Sequence, residues 1–383
     1  MPLLMSYDDF AWERSKSYVD SWLESLYSHS QYVAIKDFIL EYHPGKAIEL
    51  KPIIGGCNII FQLIYKDMSS AVLRIPIPGL SRFLDEKMQY EGISEQNPLQ
   101  LGPFIPMEFI DHDIELGTAL ITPGLTDYDR AVLNPNIEIE RLEFLYQQTT
   151  DILQLFQTSF SKIGSFYTLS SIDGNKAWDI NGRPLSLHWN ELLLVGAFPS
   201  EQLPSKSEVF TTSSSYLNTL ADLHIKHLVY QSNDSIASEN GCRQKFLSRI
   251  LLRKLASSNT LIIPLDNIRP FKLWCDDLGP FNILLDKNFK HIQQKKLREG
   301  QRLFIPMRER CEPGKFWILY AAKRFALDIA FRQKLDKIFF GLDSNWETKW
   351  EDRIKLLSEE EQVELNWREP DILGVDYRTQ VAR

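Results

Sequence analysis

The chain has 383 residues, with 43 basic against 51 acidic side chains and a formal charge of −8. That length exceeds one average domain, fits a two-lobed protein and can bury a sizeable core. With 44% hydrophobic and 25% charged residues, the composition is that of a globular chain rather than a disordered one. The acidic balance argues against nucleic acid as a partner, because phosphate binding needs a surplus of Lys and Arg. No apolar run approaches the ~20 residues that span a bilayer. The stretch Met1 to Phe10 holds Asp8 and Asp9 and no basic segment, so no signal peptide is expected and a cytoplasmic location is. The four cysteines, Cys57, Cys242, Cys275 and Cys311, form no short pair, which favours free thiols over a disulfide framework or a zinc site. His224 and His227 lie one helical turn apart without a third ligand nearby in sequence. A solvated or half-buried helix face is the expected reading.

In chain order, the first forty residues read as helical. Phe10, Trp12, Tyr18, Val19, Trp22, Leu23 and Leu26 recur at helical spacing, followed by Ile35, Phe38 and Ile39, until Pro44-Gly45 breaks the pattern. This predicts a helical extension over residues 1–47 that packs on the main body. From Glu49 the period changes to two. Ile53-Ile54 precede Gly55-Gly56, then Ile59, Phe61, Leu63 and Tyr65 alternate, Lys66 to Ser70 form a polar turn, and Ala71 to Ile75 resume the apolar run. Phe104 to Ile110 is a further strand candidate, which Pro106 places at an edge or a bulge.

Beyond about residue 137 helical periods dominate. Leu142, Leu145, Tyr146, Ile152, Leu153 and Phe156 make one stripe. Thr211 to Ser215 offer N-caps to a helix carrying Tyr216, Leu220, Leu223 and Leu228. Phe246, Leu247, Ile250, Leu251 and Leu255 make another, and Phe316 to Phe340 reads as one long helix with Gly341 as its C-cap. The expected class is α+β: a small, antiparallel, strand-rich N-lobe over 48–115 and a larger, mainly helical C-lobe over 116–383.

Two segments bear on chemistry. Phe271 to Asp286 reads F-K-L-W-C-D-D-L-G-P-F-N-I-L-L-D, an apolar strand running into a polar loop and out again. Asp277 and Asn282 stand at D-x-x-x-x-N spacing. In phosphoryl transfer such an Asp takes or orients the proton of the attacking hydroxyl, and the Asn turns back toward a magnesium ion on the phosphates. A β-turn in which Asp276 and Asp277 bond the backbone would use the same residues. Gly55-Gly56-Cys57-Asn58, between two strands, lets backbone approach a phosphate, and equally suits a plain hairpin turn. Arg74 in V-L-R-I occupies the strand place at which V-A-I-K sets a phosphate-binding Lys, where a solvated strand face is the alternative.

The order glycine turn, strand, strand with a cation, then a helical lobe holding D-x-x-x-x-N resembles the aminoglycoside phosphotransferase and choline kinase branch of the protein-kinase-like fold. More closely, the chain looks like a group of fungal phosphotransferase-family proteins. The resemblance is carried by F-I-L-E-Y-H-P-G, G-G-C-N-I-I-F-Q-L, V-L-R-I-P-I-P-G, L-G-P-F-I-P-M-E-F-I, K-I-G-S-F-Y, N-G-R-P-L-S, L-W-C-D-D-L-G-P-F-N-I-L-L-D and G-K-F-W-I-L-Y-A-A-K, from about Asp8 to Phe340. It implies ATP and magnesium as cofactors and a hydroxyl of a small molecule as phosphate acceptor. By this resemblance Asp277 is the catalytic Asp and Asn282 a metal ligand. Gly55, Gly56 and Asn58 belong to the nucleotide loop, Arg74 is the strand cation, and Glu91 is the helix carboxylate that pairs with it.

The chain also departs from that pattern. Cys275 stands for the family's usual His, Asp276 for a Gly, and Gly279 for a basic or His residue. After Glu91 most of a helix and a strand are missing. The partner strand begun by Phe289-Lys290-His291-Ile292 does not reach the family's I-D-W-E, and no Asp occurs between Asp286 and Asp328. That Asp is the family's main magnesium ligand. Its loss costs several kcal/mol of transition-state stabilisation, at about a tenfold rate loss per 1.36 kcal/mol. Three readings follow: a small-molecule kinase, a non-catalytic nucleotide- or ligand-binding module, or an incomplete gene model of an active kinase, since both gaps are clean blocks flanked by good matches. The resemblance further implies weak bracing around residues 85 to 103 and a Cys275 partly protected near the nucleotide. Asp276, Asp277 and Glu359 to Glu361 hint at a cationic acceptor, although the Glu run also reads as a solvated helix face.

Overall fold

The structure, a computed structural model, describes residues 6–86, 101–122, 158–170, 176–195, 198–231, 239–262, 267–268, 270–273, 280–285, 315–324, 327–341, 352–363 and 365. The protein mixes helices with a small antiparallel sheet, as expected of an α+β chain. It divides into two compact units, one formed by 1–109, 162–268 and 314–383, the other by 110–161 and 269–313.

The first unit opens with helices α1 (Ser6–Leu26) and α2 (His29–Tyr42). In α1, Val19 and Leu26 are buried and Trp22 and Leu23 pack beside them, the i, i+3, i+4, i+7 stripe of a helix with one apolar face. The stripe starts later than the sequence implies, for Trp12 and Tyr18 lie on the exposed side. Ser28 caps α2, its hydroxyl accepting from the Gln31 N–H at 3.3 Å, and Ile35, Phe38 and Ile39 face inward. Strands β1 (Ala47–Gly55), β2 (Asn58–Tyr65), β3 (Ser70–Pro76) and β4 (Ile105–Glu108) follow in sheet order β1-β2-β3-β4, all antiparallel. Alternation is strict in β2: Ile59, Phe61, Leu63 and Tyr65 are buried while their neighbours are half-buried. They join Ala71, Leu73 and Ile75 of β3 and the apolar faces of α1 and α2 in one core. Pro106 sits on edge strand β4, where a missing N–H costs no ladder bond.

Past β3 the chain turns at Gly79 (φ +94°), where a Cβ would come 2.9 Å from Val19 Cγ2. Close approach and left-handed backbone together demand glycine there. The segment is then fastened to the helical body of the same unit. Asn190 accepts from the Arg82 N–H at 2.8 Å and donates to the Leu80 carbonyl at 3.0 Å.

The helical body holds the hairpin β7 (Ser165–Ser170) and β8 (Lys176–Gly182), then helices α4 (Leu187–Val195), α5 (Ser213–Tyr230), α6 (Glu239–Ser257), α7 (Lys315–Ala322), α8 (Leu327–Ala330) and α9 (Asp336–Phe340). Thr212 is the N-cap of α5, accepting from the Ser215 N–H. Phe246, Leu247, Ile250, Leu251 and Leu255 are all buried, as the period of α6 predicts. Helix α6 ends with Asn259 at φ +56°, Thr260 N–H on the Leu255 carbonyl and Asn259 N–H on the Ala256 carbonyl, the paired bonds of a Schellman cap. The single helix expected over Phe316 to Phe340 is instead interrupted. A turn follows Ala322, and π-helical Phe331–Leu335 joins α8 to α9 before Gly341 (φ +89°) ends the run. Ser358 and Glu361 form a reciprocal capping box, and Glu361 also pairs with Lys254 at 2.7 Å, while Glu359 and Glu360 are exposed. His224 and His227 correct the sequence reading. Both are at most 1% exposed, inside the apolar core of this body rather than on a solvated or half-buried face.

The second unit carries β5 (Ile114–Glu115), α3 (Leu116–Leu120), β6 (Ser159–Phe160), β9 (Phe271–Lys272) and β10 (Leu284–Leu285), with β5 on β10 and β6 on β9. Leu116 and Leu285 are its buried centre, packed by Ile114, Ala119, Leu120 and Ile283. The helix expected over Leu142 to Phe156 lies outside the described residues. No helix among the described residues is long and apolar enough to cross a membrane.

Candidate functional site

The β1–β2 hairpin closes through Gly56 and Cys57, with Gly55 and Asn58 as facing partners. Gly56 takes φ +54°, a left-handed conformation that a tight two-residue hairpin needs and that glycine adopts without strain. A Cβ at Gly55 or Gly56 would meet nothing within 4 Å, so the backbone of this turn is approachable from outside. Cys57 beside it is half-buried and Cys242 is buried, and neither is in a disulfide among the described residues.

Cross-strand partners share a face of a sheet. Gly55 faces Asn58, Asn58 faces Pro76, Ile60 faces both Ile53 and Arg74, and Arg74 faces Ile105. These residues therefore stand on the side of the sheet opposite the one that meets α1 and α2. Arg74 is half-buried there and makes no side-chain hydrogen bond or ion pair among the described residues. The Asn58 Oδ1 is buried without a hydrogen-bond partner among them. Around these two polar groups lie half-buried Ile60 and Ile105, and exposed Ile53 and Met107. Val72, flanked by Gln62 and Met107 in the ladder, and Pro76, opposite Asn58, are buried members of this face. An apolar floor with the Arg74 guanidinium and an accessible glycine turn at its end suits a ligand that joins a flat apolar ring to an anion.

Glu91 lies outside the described residues, so its pairing with Arg74 stays an expectation. Five positions earlier, Glu86 has a partner that the sequence did not reveal. Arg183 reaches it with Nε at 2.9 Å and Nη2 at 2.7 Å, a two-pronged pair with both side chains buried. The third guanidinium nitrogen, Nη1, donates to the Pro204 carbonyl at 2.7 Å, and the Phe83 ring lies 5.0 Å from the guanidinium carbon. The segment that begins E-K-M-Q-Y-E is thus anchored at its first carboxylate.

In the second unit, the loop with Asp277, and with it Cys275, Asp276 and Gly279, lies outside the described residues. Its flanks are the strands the sequence predicts. Lys272 of β9 donates from Nζ to Ser159 Oγ at 2.8 Å, and β10 is pinned by Leu285. Asn282 closes a short 3-10 turn, Pro280–Asn282. The Phe281 ring lies flat on Gly117, where a Cβ would come within 2.5 Å of it, so only glycine leaves room for the ring. Asn282 itself is exposed. As a magnesium ligand it offers one neutral amide oxygen, whereas magnesium sites on proteins are built on carboxylates. No group of three or more His, Cys, Asp or Glu that could hold a metal occurs among the described residues. Among the described residues Asn282 alone, a neutral amide, does not make a magnesium site.

No family model and no curated protein matches the chain. Among solved structures, a macrolide 2'-phosphotransferase type I aligns with 91% of this chain and 99% of its own, at 10% identity and a TM-score of 0.35. A score of that size does not establish a shared fold.

Proposed function

We propose that the chain is an aminoglycoside-phosphotransferase-like protein of the two-lobed, kinase-like type that binds ATP on the open face of its small sheet. In this reading 1–47 is a helical extension, 48–115 the nucleotide-binding lobe and 116–383 the lobe with the catalytic loop, in a cytoplasmic protein. The observation that carries the reading is the open sheet face, with its accessible turn at Gly55 and Gly56, Arg74 and Asn58, and its floor of Ile60 and Ile105. Arg74 supplies charge to the phosphates, as a strand cation does in kinases. The inherited reaction is transfer of the γ-phosphoryl group to a hydroxyl of a small molecule. The hydroxyl proton goes to the Asp277 carboxylate, the oxygen bonds to phosphorus, and ADP leaves.

A second reading, a non-catalytic nucleotide-binding module, is favoured by one specific fact: residues 287–327 contain no Asp. Loss of that carboxylate removes about 4 kcal/mol of transition-state stabilisation, or roughly a thousandfold in rate. We therefore place binding ahead of turnover. Thermal denaturation with ATP and with ATP plus magnesium tests both parts. ATP alone is expected to raise the melting temperature, with little added by magnesium, and Arg74→Ala is expected to diminish the shift. No shift with either addition contradicts nucleotide binding. A large magnesium-dependent shift with turnover that Asp277→Asn abolishes contradicts the non-catalytic reading.

A further inference from the structure

Four helices of the first unit bring polar side chains to one buried spot: His188 of α4, His224 and His227 of α5, Arg249 of α6 and Asp328 of α8, each at most 5% exposed. The rings of His188 and His224 stack with centroids 4.5 Å apart. His224 Nε2 lies 2.9 Å from the Ala322 carbonyl at the end of α7, so this nitrogen carries the proton of the neutral ring. Its other nitrogen, Nδ1, is buried and has no hydrogen-bond partner among the described residues. Arg249 Nη1 donates to the His224 backbone carbonyl at 2.7 Å and to His227 Nδ1 at 3.1 Å, which commits that His227 lone pair to accepting. Arg249 Nη2 stands 3.7 Å from Asp328 Oδ1. The charges facing His224 are thus one guanidinium, already matched by one carboxylate, and two further imidazoles.

A second proton on His224 has nowhere to go. It would sit on Nδ1 as a buried donor without an acceptor among the described residues, and it would add a positive charge beside Arg249 with no spare anion among them. Burial first, then His188, Arg249 and His227, hold the imidazole well below the usual histidine range, against the opposing pull of the Ala322 carbonyl.

We propose that this cluster is an acid-sensitive lock: the helical body packs around His224 only in its neutral form, and acidification releases α5 from α4, α6 and α7. The folded pKa lies below the unfolded value of about 6.5, so the unfolded chain binds the extra proton. The stabilisation is therefore complete above about pH 6.5 and falls as the pH drops below it. For this one residue the ratio of folded to unfolded protein declines about tenfold per pH unit.

Urea unfolding of the full chain between pH 7.5 and pH 5, with wild type and His224→Gln, reads this directly. Gln can still donate to the Ala322 carbonyl and does not titrate. The unfolding constant of wild type is expected to rise about tenfold more than that of the variant for each pH unit below about 6.5. Parallel curves overturn the proposal. Should the variant not fold, deuterium exchange at the histidine C2 positions of the wild type, read by mass spectrometry against exposed His29, decides the matter. His224 is expected to stay neutral at pH 5.5 in the folded protein, and a midpoint near 6.5 overturns the lock.

Discussion

The two faces of the small sheet differ in what their residues touch. On one, Ile59, Phe61, Leu63, Ala71, Leu73 and Ile75 meet the apolar stripes of α1 and α2, and every one of them is buried. On the other, the same strands present half-buried Asn58, Ile60, Gln62 and Arg74 beside buried Val72 and Pro76. Adjacent residues of one strand thus serve different purposes, because a strand sends successive side chains to opposite sides. The covered face supplies burial energy. The other face keeps the half-buried Arg74 guanidinium beside a turn whose backbone can be approached from outside.

Substitutions on and beside the sheet break or sharpen that contrast. Phe61→Ala on the covered face is expected to cost about 4 kcal/mol in urea unfolding, whereas Ile60→Ala next to it should cost about 1 kcal/mol. Equal costs would mean that the open face is covered as well. Glu86→Gln leaves the buried Arg183 guanidinium without its charge partner, at a cost of about 3 kcal/mol, and the double variant with Arg183→Met should recover part of it. Gly79→Ala forces a Cβ against Val19 in a left-handed conformation, so about 2 kcal/mol of lost stability is expected from thermal unfolding. Arg74→Ala carries the smallest stability effect, below about 0.5 kcal/mol. Its expected effect is on binding instead, about a tenfold to hundredfold rise in the Kd of ATP by calorimetry, as the loss of a charged hydrogen bond to phosphate implies.

The covered face was legible in the sequence because one-sided burial writes itself as period two, and β2 shows that pattern without a break. Helices α5 and α6 were legible for the same reason at their own period, with Thr212 marking the start of α5. The glycine turn, Asn58 and Arg74 were found as separate signals, and the register of β1 to β4 brings them to one face. The buried histidines were not legible. A polar residue inside an apolar stripe reads like a surface residue until its partners on other helices are known. The Glu86–Arg183 pair spans 97 positions and leaves no local mark. The β7–β8 hairpin leaves no clear period in the sequence, since Phe166-Tyr167-Thr168-Leu169 does not alternate apolar with polar residues. Asp277, singled out by its spacing to Asn282, and Glu91, which the resemblance alone assigns, lie outside the described residues.

Amide hydrogen exchange of the full chain with and without ATP tests the central claim most directly, since it locates the ligand without relying on turnover. Slower exchange is expected in the turn Gly55–Asn58 and along β3 around Arg74, with α1 and α2 unchanged. Protection confined to other segments, or none at saturating ATP, would contradict a nucleotide on the open face of the sheet.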